Sequence, residues 1–126
     1  MRIWMAAIGA AALGLILLPL PVSAQGALRD AYCTQISEND KFASDGFPLT
    51  DAGSILRQDR ANYHRFGQRD PGDQRDSTFR SSGARERIPA MLDRGNTDRR
   101  VLRRIVRGTP YVCVDIYRRS IDVFLN

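Results

Sequence analysis

Asp59, His64, Asp73 and Asp76 are the side chains with which this sequence could do acid–base chemistry. Two carboxylates at a suitable separation can serve as acid and base in hydrolysing a glycan. Asp59 anchors that reading. At 100° per residue, Ala52, Ile55, Leu56, Tyr63 and Phe66 share one stripe of a helix over residues 50–66, and Asp59 falls at its centre. A carboxylate on an apolar face is costly unless paired or hydrogen-bonded. The expectation is an ion pair with an arginine from the second half of the chain; a site carboxylate is the sharper alternative. His64 is the only histidine and lies five residues from Asp59, a spacing that does not bring two side chains together on a helix. It reads as a surface residue.

Other chemistries find little support. Neither Ser54 nor Ser77 sits in a Gly-x-Ser-x-Gly elbow, and no glycine-rich phosphate loop or dinucleotide fingerprint occurs. Asp70, Asp73 and Asp76 lack the alternate-residue spacing of a calcium loop. Two cysteines and one histidine are too few for a closed zinc site. No metal or cofactor is expected.

The second chemical group is cationic. Arg99, Arg100, Arg103, Arg104 and Arg107 fall on one face of a helix whose other face carries Val101, Leu102, Ile105 and Val106. Arg118 and Arg119 follow in a turn. From residue 25 to 78 the chain has seven basic and nine acidic residues; from 79 to 126 it has eleven and five. Those halves carry −2 and +6, and Arg2 completes the net +5. Lys41 is the only lysine, and arginine suits bidentate contact with carboxylate or phosphate. An anionic envelope polymer or an acidic protein surface fits such a face. Nucleic acid fits less well, because no aromatic residue interleaves these arginines. The plain alternative is a solvated face paired with Asp59, Asp93 and Asp98.

The third group is Cys33 and Cys113. Residues 1–24 have the form of a secretory signal: Arg2, an apolar run over residues 3–18, and Val22-Ser23-Ala24 as a small-residue cleavage site. Pro19 and Pro21 stop the run short of the roughly 20 residues a membrane span needs. An exported domain over residues 25–126, periplasmic or secreted, lies where two cysteines join as one disulfide.

The elements that would position these groups read as follows. Leu28, Ala31, Tyr32, Gln35 and Ile36 have helical spacing, and residues 37–48 form a loop with Phe42 and Phe47 tucked against the core. Thr50 caps the long helix. Asp70-Pro71-Gly72-Asp73 is a helix start. Residues 84–94 form a helix that Pro89 delays or kinks. Asn96 or Thr97 caps the arginine helix, which Gly108 and Pro110 end. Residues 111–117 alternate as a strand, with residues 121–125 returning as its hairpin partner. The reading is a single small α+β domain of four to five short helices and a C-terminal antiparallel hairpin. Its function reads as a non-enzymatic envelope binding or accessory protein using the arginine face, with a hydrolase centred on Asp59 as the alternative.

Overall fold

The computed structural model describes residues 9–19 and 26–126. The cleavage site at Val22-Ser23-Ala24 lies outside the described residues. Among those described, no helix is long and apolar enough to cross a membrane.

The fold is α+β. Strand β1 (Asp30–Gln35) leads through a 3-10 turn (Glu38–Lys41) to helix α1 (Ala52–His64); α2 (Ser82–Glu86), α3 (Ile88–Arg94) and α4 (Arg99–Arg107) precede strands β2 (Tyr111–Ile116) and β3 (Ile121–Leu125). The expected C-terminal hairpin is present, but it belongs to a three-stranded antiparallel sheet of order β1-β2-β3. Residues 30–35 are a strand rather than the expected helix. Tyr32 and Ile36 lie four apart, a spacing that also keeps them on the same side of an extended chain. With Thr34 they alternate into the core, all three buried, while Leu28 is exposed. The third strand supplies what a lone hairpin lacks.

Val112, Val114, Ile116, Ile121 and Val123 bury the same sheet face, and the helices cover it. The opposite face carries Cys33 and Cys113. These are direct partners across β1 and β2, and they form the disulfide.

Both sheet edges are covered. Residues 73–78 run along β1. The Gln74 N–H donates to the Cys33 carbonyl (2.8 Å), the Cys33 N–H to Gln74 Oε1 (2.9 Å), and the Gln35 N–H to Asp73 Oδ1 (2.8 Å). This replaces the helix expected after Asp70. A turn forms there, Gly72 adopts φ +91°, and the Asp73 carboxylate serves the strand edge. On β3, Thr97 Oγ1 accepts from the Val123 N–H (3.0 Å), and Gly95 packs so closely that a Cβ there would collide with the Ile121 carbonyl. Covered edges resist pairing with other chains.

Asp51, not Thr50, caps α1 by accepting from the Ser54 N–H (2.8 Å). The helix ends before Phe66, which is exposed, as are Phe42 and Phe47. The helix expected over residues 84–94 is divided in two, and Pro89 lies in the first turn of α3. There it interrupts no helical hydrogen bond. Asp98 caps α4, accepting from the Arg100 N–H (2.7 Å), because Asn96 and Thr97 are engaged with β3.

Candidate functional site

The four residues of the acid–base reading converge, and a fifth holds them together. Arg60 is fully buried on the edge of the α1 stripe. Its Nε donates to Asp59 Oδ2 (2.8 Å), Nη1 to Asp76 Oδ1 and to the Gln74 carbonyl (both 2.9 Å), and Nη2 to Thr34 Oγ1 (3.0 Å). The Tyr32 and Tyr63 ring centroids lie 4.0 and 4.6 Å from its guanidinium carbon. His64 Nε2 lies 2.7 Å from Asp76 Oδ1, and Asp76 Oδ2 accepts from the Phe79 N–H. The partner of Asp59 is thus its sequence neighbour, not an arginine from the second half. His64 is turned inward, its side chain 9% exposed, and is not a free surface residue.

Asp73 joins through Thr34. Oγ1 of Thr34 lies 2.8 Å from Asp59 Oδ1 and 3.0 Å from Asp73 Oδ1, while also accepting from Arg60. Threonine has one hydroxyl proton and cannot donate to both carboxylates. A proton on Asp59 resolves the count: Asp59 donates to Thr34, and Thr34 donates to Asp73. Burial, opposed by the Arg60 charge, pushes the Asp59 carboxyl up to about 7. This is the direction that a proton on Asp59 needs.

Below about pH 7 the native state therefore retains a proton on Asp59 that the unfolded chain releases near 3.8. The stabilisation is full below that value and is lost as pH rises through about 7. We expect the unfolding free energy read from urea titrations to fall across that window, by an amount on the order of 4 kcal/mol at most. Asp59→Asn should flatten the profile. A wild-type midpoint constant from pH 4 to 8 would contradict the assignment.

Chemically, this cluster orients and pairs its own members. Asp59 is 2% exposed, and the Asp76 side chain is fully buried. None of the clefts at α4, at the Phe42 loop or beside Asp70 is lined by Asp59, His64, Asp73 or Asp76. Among the described residues, no group of three or more His, Cys, Asp or Glu side chains could hold a metal ion.

The arginines of α4 have the opposite setting. Arg99, Arg100, Arg103, Arg104 and Arg107 are all exposed, while Val101 and Ile105 are buried. Among the described residues, none of the five is in an ion pair. Asp59 is engaged with Arg60, and Asp98 with the α4 N-terminus. Arg100, Arg103, Arg104 and Arg107 line a shallow groove of about 540 Å³ with Gly108 and Leu125. On the other flank, Arg103 and Arg107 border a groove of about 500 Å³ whose lining includes Pro89, Leu92, Leu102 and Val106. Each groove sets cations beside apolar surface, and the second is also lined by Asp51 and Asp93. Arg99 lies outside both grooves. Arg118 and Arg119 are exposed in the β2–β3 turn, at the far end of the hairpin from Leu125. The seven arginines are therefore not one patch. Four form the groove.

Sequence reasoning missed Arg60. An arginine beside an aspartate that already lies on an apolar stripe was the available signal, since two adjacent charges at a buried position imply that each answers the other. No family model matches the chain, and no characterised protein or solved structure is significantly similar to it. The fold and surfaces define a small disulfide-tied α+β module with a buried ionic centre and an open cationic helix.

Proposed function

We propose that the protein is an exported, non-enzymatic binding or accessory protein of the cell envelope, and that it recognises an anionic partner through α4. The observation carrying this reading is that Arg100, Arg103, Arg104 and Arg107 surround one groove, exposed and without ion-pair partners among the described residues. Unpaired guanidinium groups on a rigid helix form a concentrated positive field and need little reorganisation to meet carboxylate or phosphate. Arg104 and Arg107 also lie in the last helical turn, where positive charge is favourable. The pattern is therefore compatible with stability as well as binding. Export is supported by the leader-like sequence of residues 1–24 and by the Cys33–Cys113 disulfide, a bond maintained in oxidising compartments. The partner is an anionic polymer of the envelope or an acidic protein surface. The hydrolase alternative, with Asp59, Asp73, Asp76 and His64 as its residues, has less support because Asp59 and Asp76 are buried behind their own hydrogen bonds.

The test is capture from an envelope extract at low and high salt, with the wild type beside a variant carrying Arg→Gln at positions 100, 103, 104 and 107. Glutamine keeps helix propensity while removing charge. Capture by the wild type should weaken steeply with salt, and the variant should lose roughly tenfold or more in affinity with its thermal midpoint preserved. If the variant captures the same partner equally well, the reading is wrong.

A further inference from the structure

The cleft between the loop of residues 42–48 and the C-terminal half of α1 has a chemistry unlike that of α4. None of its lining residues is charged, in a chain where 26% of residues are. Phe42 and Phe66 contribute phenyl rings that are 47% and 43% exposed, with the Arg65 guanidinium carbon 5.0 Å from the Phe66 ring centroid and so occupying one face of that ring. The remainder of the lining is mostly amide and hydroxyl: Asn39, Ser44, Gln58, Asn62 and Gln68.

The wall is held in place. The Ala43 N–H donates to the Phe47 carbonyl (2.7 Å) and the Leu49 N–H to the Lys41 carbonyl (2.7 Å), and Phe42 forms a bridge with Pro48. The inner amides are fixed as well. Gln58 Nε2 donates to Asn62 Oδ1 (2.9 Å), and Asn62 Nδ2 donates to the buried Asp40 Oδ1 (2.9 Å). Gln58 Oε1, the Ser44 hydroxyl proton and the side-chain amides of Asn39 and Gln68 have no partner among the described residues. Donors and acceptors are therefore both offered beside the Phe42 ring and the open face of Phe66.

The geometry points to this cleft as a binding site for one uncharged sugar ring. A pyranose presents hydroxyls that each donate and accept, which amides can match at both ends. It also presents C–H groups whose slight positive charge suits the negative face of a phenyl ring. No lining residue is a cation, and the Arg65 guanidinium at the rim is engaged with the Phe66 ring, so an anion has no charged partner within the cleft; a purely apolar ligand would leave the amides unpaired. The cleft measures about 230 Å³, below the roughly 300–1,000 Å³ that takes drug-sized ligands, which suits a single ring. This site is independent of the α4 groove and does not rest on the reading given for it.

The test is saturation-transfer NMR on the purified exported protein with glucose, galactose, N-acetylglucosamine and maltose as probes. At least one should bind, with Kd on the order of 1 mM, unaffected by added NaCl. Phe42→Ala and Gln68→Ala should each reduce affinity tenfold or more, whereas Arg103→Gln should leave it unchanged. Gln68 is exposed and its backbone bond to Asn62 survives truncation, so this variant reports on binding even if Phe42→Ala unfolds the loop. Absence of transfer from all four sugars, or an affinity left unchanged by Gln68→Ala, would overturn the proposal. Salt-sensitive binding abolished by the Arg103 change would also overturn it by placing the ligand at α4.

Discussion

Replacing Arg60 with methionine is expected to destabilise the domain by about 3–5 kcal/mol, the usual result of removing one partner from a buried ion pair. The size follows from what Arg60 leaves behind. Asp59 and Asp76 would remain in a low-dielectric interior without the guanidinium that now contacts both, and the Gln74 carbonyl and Thr34 hydroxyl would each lose a donor. Methionine preserves much of the side-chain volume against Tyr32 and Tyr63, so the loss would report charge and hydrogen bonding more than a cavity. Acid should restore part of the stability. Burial already raises the Asp59 carboxyl, and without Arg60 the protonated form gains further advantage. The variant should therefore be less destabilised at pH 5 than at pH 8, measured as urea midpoints by circular dichroism. Adding Asp59→Asn should recover stability at pH 8 and little at pH 5. A single-variant loss under about 1 kcal/mol would mean that Arg60 and its acids are as loosely coupled as a surface pair.

How much of this centre was legible in the sequence depends on which contacts are local. Asp59 stood out because a helical wheel needs only one helix. Arg60 lies at the border of the stripe, where a wheel predicts partial exposure. It is buried because residues 73–79 and β1 close over that flank of α1, and their approach is set by contacts such as Thr34 with Asp73. The same long-range packing explains the misread helix at Asp70. Asp-Pro-Gly-Asp has the local form of a helix start, but both Asp73 oxygens are used: Oδ1 accepts from Gln35 N–H and Oδ2 from Asp70 N–H. That binds the segment to a strand edge.

Residues 30–35 were ambiguous for a different reason. A spacing of four satisfies both the helical and the strand period, and six residues are too few to separate them. Only the partner strand decides, and its register places Tyr32 opposite Val114. By contrast, α4 and the hairpin were readable because their signals are nearest-neighbour ones: an amphipathic run, a Gly-Thr-Pro stop and strict alternation. The polar cleft beside Phe42 could not be read at all. Its lining comes from two stretches, residues 39–44 and 58–68, that meet only in the fold, and its two aromatics resemble core residues until their exposure is known.

Removing the disulfide by Cys33→Ala with Cys113→Ala should lower stability by about 4–5 kcal/mol, the loop-closure term for a bridge spanning 80 residues. At this domain size that corresponds to a thermal midpoint about 20–30 °C lower. The variant should nevertheless fold. The β1–β2 register is specified independently by Tyr32 and Thr34 facing the core, and by the Asp73 and Gln74 bonds along the β1 edge. The bridge therefore limits the freedom of the unfolded chain more than it dictates the pairing. Two measurements separate these roles. The thermal midpoint reads the entropic term. Hydrogen exchange at the backbone amides of position 33 and Gln35, both bonded to the Asp73–Gln74 segment, reads whether β1 still docks. A fall in midpoint with those amides still protected relative to the unfolded chain is the expected pair of results. Full exchange there under native conditions would instead make the sulfur bridge the element that holds β1 in the sheet. The Arg60 centre, which depends on Thr34, would then come apart with it.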